Sequence, residues 1–304
     1  MNPNPLLSAL GYDASARLVI FHADDVGMCH GSNGAFVECQ AVGMLKTGSV
    51  MMPCPWSPEM VQTAAANPSI DLGVHLTLTS EWPQYRWGPI STRQVNSGLL
   101  DDTGHFWATG AEVAEHLNPT AAIGEMQAQI ERALAAGVDM THLDTHMGTA
   151  MLPGLWEAYV RLGFDYNVPV LFFRQVDDLM RQMFYGPNDE TTHLQRAAAI
   201  EAQGMPLVDW FRITPGYDSK DGQGDRSELY ESILRGLQPG ITYFSLHPNA
   251  PGDIDIIDPV NGGWRTHEYD YFRSDRLRAF LAQEGIVPIG YREIREVMRK
   301  AIPK

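Results

Sequence analysis

Two adjacent carboxylates, Asp24 and Asp25, follow the apolar run Leu18-Val19-Ile20-Phe21 by way of His22 and Ala23, and Gly27 stands two residues further on. Neighbouring side chains of a continuing strand point to opposite faces. Both carboxylates therefore reach one cavity only if the chain turns at this point, which Gly27 permits. The pair predicts a polar, metal-binding site in which one carboxylate stays free to move protons. The plainer use of a single Asp here is to cap the following helix, but a pair directly after an apolar run is poorly explained that way.

Three later segments end in similar chemistry. In Gly73-Val74-His75-Leu76-Thr77-Leu78-Thr79 strict alternation puts His75, Thr77 and Thr79 on one face; taken alone, His75 reads first as a hydrogen-bonded structural histidine and second as a ligand. In Thr141-His142-Leu143-Asp144-Thr145-His146 an extended strand puts His142, Asp144 and His146 on one face, and two imidazoles with a carboxylate suit a divalent cation. The run Ile241-Thr242-Tyr243-Phe244-Ser245-Leu246 delivers a single imidazole, His247, just before Pro248, where it can supply or stabilise a proton. Arg174 closes Val170-Leu171-Phe172-Phe173 and is a candidate to orient a catalytic carboxylate, although a lone arginine is commonly a surface anchor. Asp253, Asp255 and Asp258 lack the tight spacing of a calcium loop. His22, His30, His105, His116, His193 and His267 have no ligand-like context and are read as structural.

Such residues need strands that run out at a common face. Apolar runs at 18–23, 48–52, 70–78, 138–145, 168–173, 241–246 and 286–289 are expected strands, and helical periodicity appears at 32–41, 58–66, 120–136, 153–162, 270–284 and 291–299. Residues 176–206 are polar and helix-leaning, and 82–102 are loop-like with aromatic residues. The repeated β-then-α succession, undivided by a linker, predicts an α/β fold. Its expected form is a TIM-like (β/α) barrel of about seven strands, somewhat irregular, with an open doubly wound sheet as the alternative. The expected organisation is one domain over 1–304, with a core at 17–295 and inserts near 82–108 and 176–206.

The 304 residues carry a formal net charge of −15, which argues against a nucleic-acid partner, since phosphate binding needs clustered Lys and Arg. No run approaches the roughly 18 apolar residues of a membrane span, and residues 1–16 lack the basic start and apolar core of a signal peptide. The three cysteines, Cys29, Cys39 and Cys54, show no zinc-knuckle spacing and suit a reducing cytoplasm. The oligomeric state is open, and a homodimer is among the alternatives.

Together these motifs resemble the YdjC-like carbohydrate deacetylases. His-Ala-Asp-Asp-Val-Gly at 22–27 is similar to that family's opening Asn-Ala-Asp-Asp-Phe-Gly, while residues 73–79, 141–146 and Leu246-His247-Pro248 resemble its second, third and late motifs. The resemblance implies a TIM-like barrel and a divalent metal held by Asp25, His75 and His146, with zinc first and magnesium, manganese, cobalt or nickel as alternatives. It also implies Asp24 as base, His247 as acid or oxyanion partner and Arg174 as the residue holding Asp24. The implied substrate is an N-acetylated sugar, such as N-acetylglucosamine or its oligomers, or a glycoconjugate. Trp82, Tyr85, Trp87 and Trp264, with His142 and Asp144, are the candidate sugar contacts. One departure stands out: His146 is followed by Met147-Gly148-Thr149-Ala150 rather than by a histidine-rich run, which changes the pocket wall. The alternatives are a metal-dependent hydrolase of a non-sugar amide or phosphoester, for which no phosphate-cradling loop is present, and a catalytically silent sugar-binding relative.

Overall fold

A computed structural model of the chain describes residues 2–184, 189–216 and 225–301. Among these residues seven strands, β1 Arg17–Val26, β2 Thr47–Val50, β3 Asp71–Leu76, β4 Leu143–Thr145, β5 Trp210–Ile213, β6 Gly240–Leu246 and β7 Ile286–Pro288, form one sheet, six of them in the order β4-β3-β2-β1-β6-β5 and β7 paired with β1 off that path. Every ladder is parallel. β1 is shared along one edge: its first half, Arg17 to Val19, pairs with β7, and its second half, from His22, pairs with β2. Parallel strands are covered on both faces, and all seven residues of β6 are accordingly buried.

The sheet curls into a half-barrel that regular strands do not close. The gap between β4 and β5 is spanned by the isolated parallel bridges Leu143–Val170 and Phe173–Val208. Residues 168–173, expected as a strand, make only these two strand bridges among the described residues, and Pro169 has no N–H with which to continue a ladder. β5 falls in a stretch from which no strand was expected, because Trp210-Phe211-Arg212-Ile213 is short and interrupted by a charge.

The outer face of the sheet meets the helices in the larger apolar core, whereas the inner face holds a second core built on Leu18, Ile20, Ile241 and Phe211. Leu6 and Leu7, from the helix Pro5–Ala9, and Tyr291 and Ile294, from the helix Tyr291–Ala301, belong to this inner core. Going up β1 on this face, Leu18 and Ile20 give way to His22 and Asp24; up β6, Ile241 gives way to Tyr243 and Ser245. The interior thus turns polar toward the carboxyl ends, where barrel chemistry is placed.

Helix Pro119–Ala135 shows how the layers lock together. Asn118 caps it through its side chain, with Pro at the first turn, and Ala122, Met126, Ile130 and Ala133 face the core. From the same helix Gln129 Oε1 accepts from Thr77 N at 2.9 Å, and Gln129 Nε2 donates to Thr77 O at 2.8 Å. The end of β3, which carries His75, is fixed in this way. Among the described residues no helix is long and apolar enough to cross a membrane.

Candidate active site

The carboxylate pair sits on a bulge. The register of β1 against β2 shifts between Ala23 and Val26, and Asp25 adopts a left-handed backbone with φ 58°, a conformation that Asp tolerates better than most residues. The bulge re-aims one side chain, so Asp24 and Asp25 both line the same cavity. The expectation of a turn at this point is met, though it falls on Asp25 itself as well as on Gly27, at φ 86°.

Asp25, His75 and His146 come together: Asp25 Oδ1 lies 3.1 Å from His146 Nδ1 and 3.5 Å from His75 Nε2, and one donor atom from each residue falls within 4.8 Å of the others. Asp25 Oδ1 and His75 Nε2 are buried and have no hydrogen-bond partner, an orphaned state that buried polar atoms rarely keep. The remaining atoms are held from outside. His75 Nδ1 is 2.9 Å from Asp144 Oδ2, His146 Nε2 is 3.1 Å from Glu81 Oε2, and Arg265 donates to Asp25 Oδ2 at 2.7 Å. Carboxylates behind metal-facing imidazoles are the usual second support of such a site. The three residues fit a divalent cation, since bonds of about 2.1 Å at tetrahedral angles set donor atoms roughly 3.4 Å apart.

The electrostatics agree. Burial opposes ionisation of Asp25, but the Arg265 guanidinium and His146 outweigh it and hold its pKa well below the usual carboxylate range. Burial pulls His146 down, while Glu81 and Asp25 prevail and lift it to about 9. Asp144 similarly lifts His75 well above an ordinary histidine against its burial. A cation entering the site would displace the protons these rings carry. Two other groups of donors are less suited. His22 and His142 already meet each other, Nε2 to Nε2, at 2.7 Å, which leaves no room between them for an ion, and Asp144 Oδ2 is engaged by Ser49 and Tyr243.

Asp24 stands beside this cluster with separate partners. Its Oδ1 is 2.6 Å from His22 Nδ1 and accepts from Tyr243 Oη at 2.9 Å, and its Oδ2 accepts from Ser245 Oγ at 2.8 Å. Burial raises its pKa, but His22 and the other nearby imidazoles bring it below the ordinary value, so Asp24 is ionised. His247 Nε2 lies 3.9 Å from Asp24 Oδ2, with its ring edge-on to Trp264. Burial first, then the Arg265 cation, push its pKa down to about 4. His247 is therefore neutral near pH 7, which suits a proton acceptor or neutral hydrogen-bond donor and not a store of acid.

Several expected residues lie elsewhere. Arg174 does not reach Asp24; its guanidinium is 2.9 Å from Asp209 and 2.7 Å from Glu201, because its segment leaves β4 to bridge toward β5. His142 and Asp144, expected as sugar contacts, are fully buried and lie outside the lining of the cavity. They lie one layer deeper in the barrel, where Gly73 makes room: a Cβ there would meet the His142 ring at 2.5 Å. Tyr85 donates to Met28 O and Trp87 to Thr79 O and neither lines the cavity, whereas Trp82 and Trp264 do.

Sequence reasoning missed His22, Ser49, Tyr243, Ser245, Glu81 and Arg265. The first four share the inward-facing parity of their strands and were legible from alternation. Glu81 in a loop and Arg265 on the helix Gly262–Phe272 carry no local signal.

A parallel half-barrel with two imidazoles and a carboxylate converging beside a second, ionised carboxylate defines the class of protein. Residues 18–283 match the family described as YdjC-like protein, and the chain belongs to that family. It is 30% identical over 302 residues to a carbohydrate deacetylase of Thermus thermophilus, covering 96% of this chain and 99% of that one. A carbohydrate deacetylase of Thermoanaerobacter pseudethanolicus is 28% identical over 242 residues, 80% of this chain and 84% of that one. Among solved structures, an Enterococcus faecalis protein named for cellobiose-phosphate cleavage shares the fold, with TM-score 0.72 and 19% identity over 92% of this chain and 99% of that one.

Proposed function

We propose that this protein is a metal-dependent hydrolase that removes acetyl groups from N-acetylated mono- or oligosaccharides or a related glycoconjugate. The observation that carries the reading is the division of labour between the two carboxylates. Asp25 converges with His75 and His146 on a point where buried donor atoms lack partners, while Asp24 is ionised and hydrogen-bonded apart from them. Asp25, His75 and His146 would hold one divalent cation, zinc fitting two nitrogens and an oxygen best and magnesium or another ion being an alternative. When bound, such an ion lowers the pKa of water and polarises a carbonyl.

The protein's own groups do the rest. Asp24, held by His22, Tyr243 and Ser245, accepts the proton of the attacking water. His247, neutral and on the cavity wall, donates an N–H hydrogen bond to the oxyanion, and the proton that Asp24 takes from water is the one it hands to the leaving amine. Trp82 and Trp264, which line the cavity, are the aromatic residues placed to contact a pyranose. The carbohydrate deacetylase relatives support the sugar substrate.

A phosphoester is the weaker reading. Arg265 is the one Lys or Arg among the described cavity-lining residues, and Asp25 already engages it. The test is acetate release from N-acetylglucosamine oligomers by the metal-loaded protein. We expect turnover that chelation abolishes and that Asp24→Asn removes; release indifferent to both would sink the proposal.

A further inference from the structure

The cavity that holds the carboxylates has about 660 Å³, within the roughly 300–1,000 Å³ that takes a drug-sized ligand, and its two sides differ in chemistry. The polar groups come from β1, β3, β6 and the end of β4, joined by Glu81 from a loop and by Asp258, Asn261 and Arg265 from the stretch leading into and along the helix Gly262–Phe272. Facing the gap in the sheet, Met147, Met151, Leu171, Phe173, Phe211 and Ile213 also line the cavity. Leu171, Phe173 and Phe211 are buried parts of the inner core, so this wall runs from the barrel interior out to the rim. At the rim Met147 is 51% exposed and so open to a ligand, on a left-handed backbone of φ 50°, a strained conformation of the kind that clusters at ligand sites. A pyranose ringed by hydroxyls would lose hydration against such a surface and gain no hydrogen bond. Flexible methionines, in contrast, adapt to apolar ligands of varied shape.

We infer that the substrate of this site carries an apolar group longer than the acetyl methyl, which lies on the Met147–Phe211 wall while the amide sits at Asp24 and Asp25. The inference rests on the amide-hydrolysis reading above. The shared chemistry is an alkyl or aryl chain, supplied either as a longer N-acyl group or as the aglycone of an N-acetylated glycoside.

Two substrate series distinguish these sources: N-acetyl-, N-butanoyl- and N-hexanoylglucosamine, and the methyl, butyl and hexyl glycosides of N-acetylglucosamine. The full chain is loaded with Zn²⁺ and free amine is measured for kcat/KM. In parallel, calorimetry gives the affinity of the metal-free protein for the first and last member of each series. Each buried methylene is worth roughly a fourfold gain, so partial burial of four gives at least tenfold. We expect one series to rise at least tenfold in kcat/KM, with the same long-chain member binding at least tenfold tighter, and Met151→Gln to compress both ratios below threefold. Flat or falling series with normal turnover of N-acetylglucosamine would overturn the inference and leave the deacetylase reading standing. If no sugar amide is hydrolysed, that reading fails and the calorimetry decides alone: equal affinities for short and long members overturn the apolar wall.

Discussion

His22 holds Asp24 from below: on the same face of β1, its Nδ1 lies 2.6 Å from Asp24 Oδ1, and its Nε2 lies 2.7 Å from His142 Nε2. A ring that donates from Nδ1 to the carboxylate keeps Nε2 as an acceptor, so His142 supplies the second proton. Burial holds His142 well below an ordinary histidine, consistent with a neutral ring in that role, stacked 4.0 Å from Tyr291. The base is thus oriented by a buried pair of imidazoles beneath it.

Removing the link should cost turnover more than binding. We expect His22→Leu to lower kcat by about 10- to 100-fold with little change in KM, since positioned proton transfer contributes roughly 10²–10⁴-fold. It should also destabilise the fold by about 1–3 kcal/mol, because His142 loses its buried partner. His22→Asn, which keeps an N–H donor, should lose less on both counts. Steady-state kinetics and thermal unfolding of the two variants check this.

The two carboxylates should separate by assay. Asp25→Asn is expected to lose bound metal, measured by elemental analysis after gel filtration. Asp24→Asn is expected to retain metal and lose about 10²–10⁴ in kcat. The reverse pattern would exchange their roles.

Arg265→Gln removes the cation 2.7 Å from Asp25 and leaves a buried carboxylate uncompensated. Breaking a buried pair costs about 3–5 kcal/mol, and a ligand that binds only the native state restores stability. Denaturant unfolding should therefore show a large loss in the metal-free variant and a smaller one with saturating Zn²⁺.

Stability should depend on pH through Glu268 and His247. Glu268 accepts from the His247 backbone and from Thr214, and burial lifts its pKa from 4.5 to about 8. Its contribution is full below the unfolded value and is lost as pH rises toward 8. His247, depressed from 6.5 to about 4, contributes above its unfolded value and loses that contribution as pH falls toward 4. The two slopes oppose each other between them. Each is bounded by about 1.4 kcal/mol per pH unit. Glu268→Gln should gain Tm on the wild type between pH 5 and 8, and His247→Asn should flatten the acid limb below pH 6.5.

Arg174→Ala should act on stability alone. Its partners are Asp209 and Glu201, and Asp209 also accepts from Asn4 and from the Ile241 backbone. We expect a loss of about 2 kcal/mol, below that of a fully buried pair, with kcat and KM within twofold of the wild type.

Much of the fold was legible because each strand carries its own signal. The runs at 18–23 and 241–246 coincide with β1 and β6, and the spacing of Met126 and Ile130 marks the helix Pro119–Ala135. The strand expected at 168–173 failed at Pro169, and β5 escaped notice because four residues with a charge among them set up no period.

Local order determined which residues carry chemistry: alternation along single strands put His75, His142, Asp144 and His146 on inward faces, and apolar runs placed Asp24, Asp25 and His247 at strand ends. Tertiary structure decided their depth and partners. His142 and Asp144 share a face with His146 yet lie a layer below the cavity, a difference of height in the barrel that strand parity does not encode. Arg265 rather than Arg174 meets the carboxylate pair, because the partner comes from a helix some 240 residues away, and its approach depends on how the layers pack. The left-handed turn at Asp25 likewise joins the two levels: the sequence contains the pair, but only the bulge against β2 sends both side chains into one cavity.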